Sequence, residues 1–549
     1  MNLKSLLLFA VVGLSLAHAD VKLHPLFTDH AVLQRDLPVP IWGTAKPGEK
    51  VTVSFSGKTV SVTAGADGRW LAKLAPMPAS ATPQVLTVKA TNTLTVNDVL
   101  VGDVWLASGQ SNMGSPMSSG TAAEALPSAN DPLLRFFNVT KAVAAESQAD
   151  VKGQWQLTTP DNAKGFSAVA YFFAREIRAT QKVPVAVLNA PWGGTPIKTW
   201  MSLDSLRKAP PIAAIVAEWD KAYAQYLTVK DKPELQAAYL TDMKEWETNV
   251  GPAHKAAMAA YSELASAAKA AGQPVPPAPK IARPEPVQPN PMAMPSASKR
   301  PTTPTIAYNA MIAPLAGYGL KGALWYQGEA DGSRGAEYRS AFPRLIEGWR
   351  TAWAQGDFPF LFIQLPGCYA SAEPVATSGW AFLREAQLLT LKVPRTGMVV
   401  TSDIGDPKDV HPDNKVHVGT RLALVGRQVA YGEKIVGTGP LYSGFAVEGG
   451  AVRIRFTETG GGLVVGKAPW LAKGVTALPE DRLVGFYVAG ADKKWVEASA
   501  RIDGATVVVS SPAVAAPVAV RYAWANFPRA NLANREGLAA SPFRTDVTE

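Results

Sequence analysis

Beyond about residue 100 the chain alternates short, continuously apolar runs with amphipathic stretches. The runs are Val183-Pro-Val-Ala-Val-Leu188, Gly322-Ala-Leu-Trp325, Phe358-Pro-Phe-Leu-Phe-Ile363 and Thr396-Gly-Met-Val-Val-Thr401. Segments 166–179 and 336–354 between them have the composition of helices. A strand that is apolar on both faces must be covered on both faces. This grammar therefore predicts an α/β region with a parallel sheet and helices on either side. A further run, Val104-Trp-Leu-Ala107, leads into Gly109-Gln-Ser-Asn-Met113. In an open parallel sheet the carboxyl ends of all strands lie along one edge, so loops far apart in sequence can meet there.

The flanks read differently. Residues 20–99 hold β-branched, alternating runs (39–43, 51–55, 59–63, 85–89) with turns at Lys46-Pro-Gly-Glu49 and Gly65-Ala-Asp-Gly68. This predicts an N-terminal β-sandwich-like domain. Similar runs from 451 to 522 predict a C-terminal β domain over 435–549. The α/β region then occupies 100–434, interrupted at about 205–302 by a helical, Ala/Lys/Glu-rich part and a proline-dense tail. That insertion has the composition of a solvated, stiff excursion.

Met1 to Ala19 carries Lys4, an apolar core and Ala17-His-Ala19, the pattern of a cleavable secretory signal. The expected location is secreted or periplasmic, without a membrane anchor. A single cysteine, Cys368, excludes an intrachain disulfide and a zinc–cysteine cluster. It has no basic or histidine neighbour to activate it and reads as buried filler. The formal charge of +9 is dispersed, with no run resembling a nucleic-acid patch; it permits an acidic substrate without implying one.

Four unusual loops follow the apolar runs: 109–113, Trp192-Gly-Gly-Thr195, Tyr326-Gln-Gly-Glu-Ala-Asp331, and Asp403-Ile-Gly-Asp-Pro-Lys-Asp-Val-His-Pro412. Together they hold the parts acyl transfer needs. Ser111, on a glycine-flanked turn after a strand, is the expected nucleophile. His411 is the expected base, with Asp409 two residues before it as the acid; Asp406, Asp403 and Glu329 are the alternatives. His417 is the decoy, in a stretch that reads as a helix over 415–431. The oxyanion donors expected are the N–H groups of Ser111, Gly193 and Gly194 and the side-chain amide of Gln327. Gln110, Asn112, Trp192 and Glu329 are expected to contact substrate, and Trp325 to fill core.

The set Gly-Gln-Ser-Asn-Met, Trp-Gly-Gly-Thr-Pro-Ile, Tyr-Gln-Gly-Glu and Asp-Val-His-Pro-x-Asn-Lys resembles the sialate O-acetylesterases, a carbohydrate-esterase branch of the SGNH hydrolases. Tyr308-Asn-Ala-Met-Ile312 and Arg384-Glu-Ala-Gln387 fit as well, and the likeness spans about 20–540 outside the proline-rich part. The resemblance implies an SGNH-like sheet and a secreted serine esterase, needing no metal or cofactor, that removes O-acetyl groups from sugars. It implies Ser111 as nucleophile and His411 as base. It leaves open sialic acid against plant polysaccharide. Two departures stand out: Lys408 occupies the position three before the histidine, where the general pattern has the acid, and Gly114-Ser115 follow Met113, where an acidic residue is usual. A noncatalytic carbohydrate-binding protein on the same fold is the alternative reading.

Overall fold

The structure is a computed structural model and describes residues 20–208, 212–270, 273–279, 283–296, 299–369, 379–468 and 472–546. The signal-peptide reading of 1–19 lies outside the described residues. The central sheet is built from β1 (Thr93–Gly109), β2 (Asp131–Val139), β3 (Gly153–Thr158), β4 (Val185–Pro191), β5 (Gly322–Tyr326), β6 (Phe360–Ile363) and β7 (Thr396–Val399), in the order β3-β2-β4-β1-β5-β6-β7. All neighbours are parallel except β3, which pairs antiparallel with β2. The sheet is therefore mixed. Neither β2 nor β3 is among the expected strands; β2 carries Arg135 in an otherwise apolar run, and β3 is a half-exposed edge.

Each central strand sends alternate side chains to opposite faces, as its period of two requires. Leu106, Leu188, Trp325 and Phe362 pack into one core, and Trp105, Val187, Leu324 and Leu361 into another. The second face is covered by α1 (Ala168–Gln181) and α4 (Lys415–Tyr431), whose Phe173, Leu422 and Val425 are buried there. The first is covered by α2 (Gly335–Trp353) and α3 (Gly379–Leu389), through Phe342, Trp349 and Leu383. At about 25 cal/mol per Å2, such fully buried aromatic and branched side chains contribute on the order of 2 kcal/mol each.

The N-terminal β region is continuous with this layer. β1 runs without a break through the boundary expected at 99/100, and its first half pairs with Ser80–Lys89 and with Val32–Gln34. Ile41, Val53 and Leu86 belong to the same apolar core as Trp325. Buried Asp103 adds a polar tie, accepting from Arg35 Nε (2.8 Å) and from the Tyr431 hydroxyl (2.8 Å). Beyond 440, by contrast, antiparallel sheets enclose a separate core around Ile454, Phe486, Val509 and Phe543. Among the described residues no helix is long and apolar enough to cross a membrane.

Candidate active site

Register brings the site together. Gly109 at the end of β1 lies opposite Pro191 on β4 and Tyr326 on β5. The residues that follow (Gln110-Ser111, Trp192-Gly193, Gln327-Gly328) therefore leave the sheet side by side. Gly109 has φ +129°, and a Cβ there would stand 2.1 Å from the Tyr326 carbonyl oxygen. No other residue fits the turn that lifts Ser111 onto the first position of a four-residue helix, Ser111–Gly114. Gly193 is less constrained but still close, since a Cβ there would make a tight 3.1 Å contact with Ser111 Cβ.

The loop after β7 has farther to come. Its strand is three places from β1, about 14 Å at 4.8 Å per strand. Asp403 anchors the start of the loop on α4 through a bidentate pair with Arg421 (2.7 and 2.8 Å). The Asp406 N–H bonds the Gly367 carbonyl, while its carboxylate accepts from the N–H groups of Lys408 and Asp409. Thus held, the loop presents His411 Nε2 2.8 Å from Ser111 Oγ and His411 Nδ1 3.0 Å from Asp409 Oδ1. Of the four acids considered, Asp409 is the one hydrogen-bonded to His411. His417 is elsewhere, its Nδ1 2.8 Å from Asn414 Oδ1 at the start of α4.

Beneath the serine lies a buried polar network. Asn112 donates to the Glu329 carboxylate and to the Val410 carbonyl (2.8 Å), and accepts from Lys415 Nζ (2.7 Å). Lys415 also donates to the Pro412 carbonyl (2.6 Å). Burial lowers the Lys415 ammonium to about 8 and raises the Glu329 carboxyl, against the opposing pull of Asn112, Lys415 and His411. Asp331, also raised by burial, accepts from the Ile197 N–H (2.8 Å), Gln327 Nε2 (2.6 Å) and Arg334 (2.9 Å).

These bonds correct several expected roles. Gln327 is fully buried, and its two amide hydrogens are committed to Asp331 and the Thr195 carbonyl (3.1 Å), so it has none for an oxyanion. Gln110 is buried and accepts from the N–H of Ala330 (3.1 Å); Asn112 is buried in the network above. Both tie loops together rather than face a ligand. Trp192 is only 6% exposed and packs in the core, leaving no ring face for a sugar. Glu329 is half-buried: Asn112 engages one of its carboxylate oxygens, and the other has no hydrogen-bond partner among the described residues. The N–H groups of Ser111, Gly193 and Gly194, in contrast, have no acceptor among the described residues. Asp331 and Lys415 went unassigned in the sequence reading, although both stand inside the motif loops. Cys368 is buried, and burial pushes its thiol up to about 12, which makes it inert. No cluster of three or more metal-ligating side chains occurs among the described residues.

A serine on a strand-to-helix elbow, in reach of an imidazole and free N–H donors, on an α/β sheet, is the layout of an ester hydrolase. Comparison with known proteins agrees. Residues 213–425 match the family described as carbohydrate esterase, sialic acid-specific acetylesterase. The rat sialate O-acetylesterase is 30% identical over 455 residues, 75% of this chain and 74% of the rat protein. The human sialate O-acetylesterase is 28% identical over 443 residues, 73% of this chain and 69% of the human one. Among solved structures, a carbohydrate acetylesterase from Xanthomonas citri superposes with a TM-score of 0.75 at 36% identity, covering 96% of this chain and all of that one. The chain belongs to the sialate O-acetylesterase family and is a carboxylic ester hydrolase.

Proposed function

We propose that this protein removes O-acetyl groups from carbohydrates through an acetyl-enzyme on Ser111. His411 Nε2 takes the Ser111 proton as Oγ attacks the acetyl carbonyl carbon. The carbonyl oxygen becomes an oxyanion held by the N–H groups of Ser111, Gly193 and Gly194. As the intermediate collapses, the sugar oxygen leaves with the proton from His411. Water, deprotonated by the same imidazole, then attacks the acetyl-enzyme, and acetate departs as Ser111 regains its proton. Asp409 orients the ring and balances the imidazolium. The observation that carries this reading is the continuous chain Ser111 Oγ, His411 Nε2, His411 Nδ1, Asp409 Oδ1, at 2.8 and 3.0 Å.

The finer architecture belongs to the same proposal: an SGNH-like catalytic domain over 100–434 between β-sandwich-like domains at 20–99 and 435–549. So does export by cleavage of a signal at 1–19, supported by the apolar run after Lys4. The test is acetate release by the purified protein beside Ser111→Ala, on 9-O-acetylated sialic acid, acetylated xylan and acetylated pectin. Release that disappears in the variant is expected. No release from any of them, nor from p-nitrophenyl acetate, by a folded protein would overturn the reading.

A further inference from the structure

The insertion does not simply run out into solvent. The residues at and just beyond its end return to the site along the turn that follows Trp192-Gly-Gly-Thr195. The Thr305 N–H donates to the Lys198 carbonyl (3.0 Å), and Thr199 Oγ1 donates to the Thr303 carbonyl (3.4 Å). Lys198 in turn is paired with Glu218 of the first insertion helix (2.6 Å). Pro301 and Pro304 are buried, so the backbone beside Arg300 is stiff as well as anchored.

Arg300 lies on Gly194. A Cβ at 194 would stand 2.1 Å from Arg300 Cδ and 2.5 Å from its Nε, and Gly194 has φ +73°. Gly193, one residue away, faces Ser111. With consecutive Cα atoms about 3.8 Å apart, this path places the Arg300 side chain within about 12 Å of Ser111. Arg300 is exposed and makes no hydrogen bond or ion pair among the described residues. Its stem rests on glycine backbone while its five N–H donors have no partner among the described residues, a fork that matches a carboxylate in two parallel bonds.

We infer that Arg300 binds the carboxylate of an acetylated sugar acid and makes this enzyme selective for anionic over neutral carbohydrate. The inference rests on the esterase reading above and adds the residue that selects the substrate by its charge. A nonulosonic acid such as sialic acid and a uronic acid both supply that carboxylate. The span of up to about 12 Å suits an ester remote from the acid group, on the same sugar or a neighbouring one.

The experiment compares kcat/KM on 9-O-acetylated sialic acid, on the same sugar with its carboxylate converted to the carboxamide, and on acetylated galacturonan and xylan. The proteins are wild type, Arg300→Gln and Arg300→Lys, each checked for an unchanged melting temperature. Wild type should prefer an acid to its neutral counterpart by about 10- to 100-fold, the discrimination expected of a charge-assisted pair. Arg300→Gln should erase that preference through KM, with Lys intermediate because it lacks the planar fork. Preference for galacturonan over sialic acid, or the reverse, names the source of the carboxylate. Equal rates on acid and carboxamide in wild type, turnover of xylan alone, or an equal loss on every substrate in Arg300→Gln would each overturn the inference while leaving the esterase standing. Acetate release from nothing at all would remove the esterase reading and this inference with it.

Discussion

The loop after β5 (327–331) and the loop after β7 (401–414) both border Ser111, yet they hold their side chains by opposite means. In the first, Gln327 and Asp331 are buried and hydrogen-bonded to each other, and Asp331 also bonds the Ile197 N–H. In the second, the His411 and Asp409 side chains are 43% and 59% exposed, positioned by backbone capping at Asp406 and by an anchor at Asp403. One loop is scaffold: the amide hydrogens of Gln327 and the carboxylate of Asp331 are spent on each other and on neighbouring backbone, although Gln327 Oε1 and Glu329 Oε2 have no hydrogen-bond partner among the described residues. The other carries the proposed base, and its exposure suits that proposal, because a base that exchanges protons with substrate and water must stay reachable.

The largest effect that would test this contrast is on the exposed arm. Ser111→Ala or His411→Ala should cut kcat by about 10^4-fold or more, with folding intact, because serine and base act as one unit. His417→Ala should leave steady-state rates within about twofold; the reverse pattern would reassign the base. On the scaffold arm, Asp331→Asn presents an amide to three donors and strands Arg334. It should lower unfolding free energy by about 3 kcal/mol, read from the urea midpoint, and affect kcat far less. A catalytic loss with unchanged stability would place Asp331 in the reaction instead.

Asp409→Asn should reduce kcat by about 10^2-fold, less than the 10^4-fold known for a buried triad aspartate, because water screens so exposed a carboxylate. A full 10^4-fold loss would mean that bound substrate buries it. The smallest effect is a slope. Lys415 titrates near 8 when folded against an ordinary 10.5, so between those values the unfolded chain binds more protons. Its contribution to stability therefore rises with pH across that window. In melting curves from pH 7 to 10, wild type should gain on Lys415→Met as pH increases. A constant gap would show that the ammonium is not desolvated.

Much was legible before any coordinates. The helix read over 415–431 occupies Lys415–Tyr431, and the four apolar runs are the cores of β4 to β7. A covered strand needs continuous apolar residues, and that need is written locally. β2 and β3 escaped because a charged residue inside a buried run, and a half-exposed edge, break that pattern. The single strand joining the N-terminal region to the central sheet escaped for a related reason: a change of composition at 100 does not interrupt backbone pairing.

By itself, then, the sequence determined which loops stand at the sheet edge and which reactive groups they bring, since both follow from local periodicity and motif. Only the tertiary structure decided who bonds whom. Asp409 rather than Asp406 or Asp403 reaches His411 because those two are consumed in holding the loop, and Gln327 is no oxyanion donor because packing sets it against Asp331. Arg300 stands at the site because a segment about a hundred residues downstream folds back onto Gly194. A side chain's chemistry belongs to its residue type, but its free donors and acceptors are those left after its three-dimensional neighbours have taken theirs.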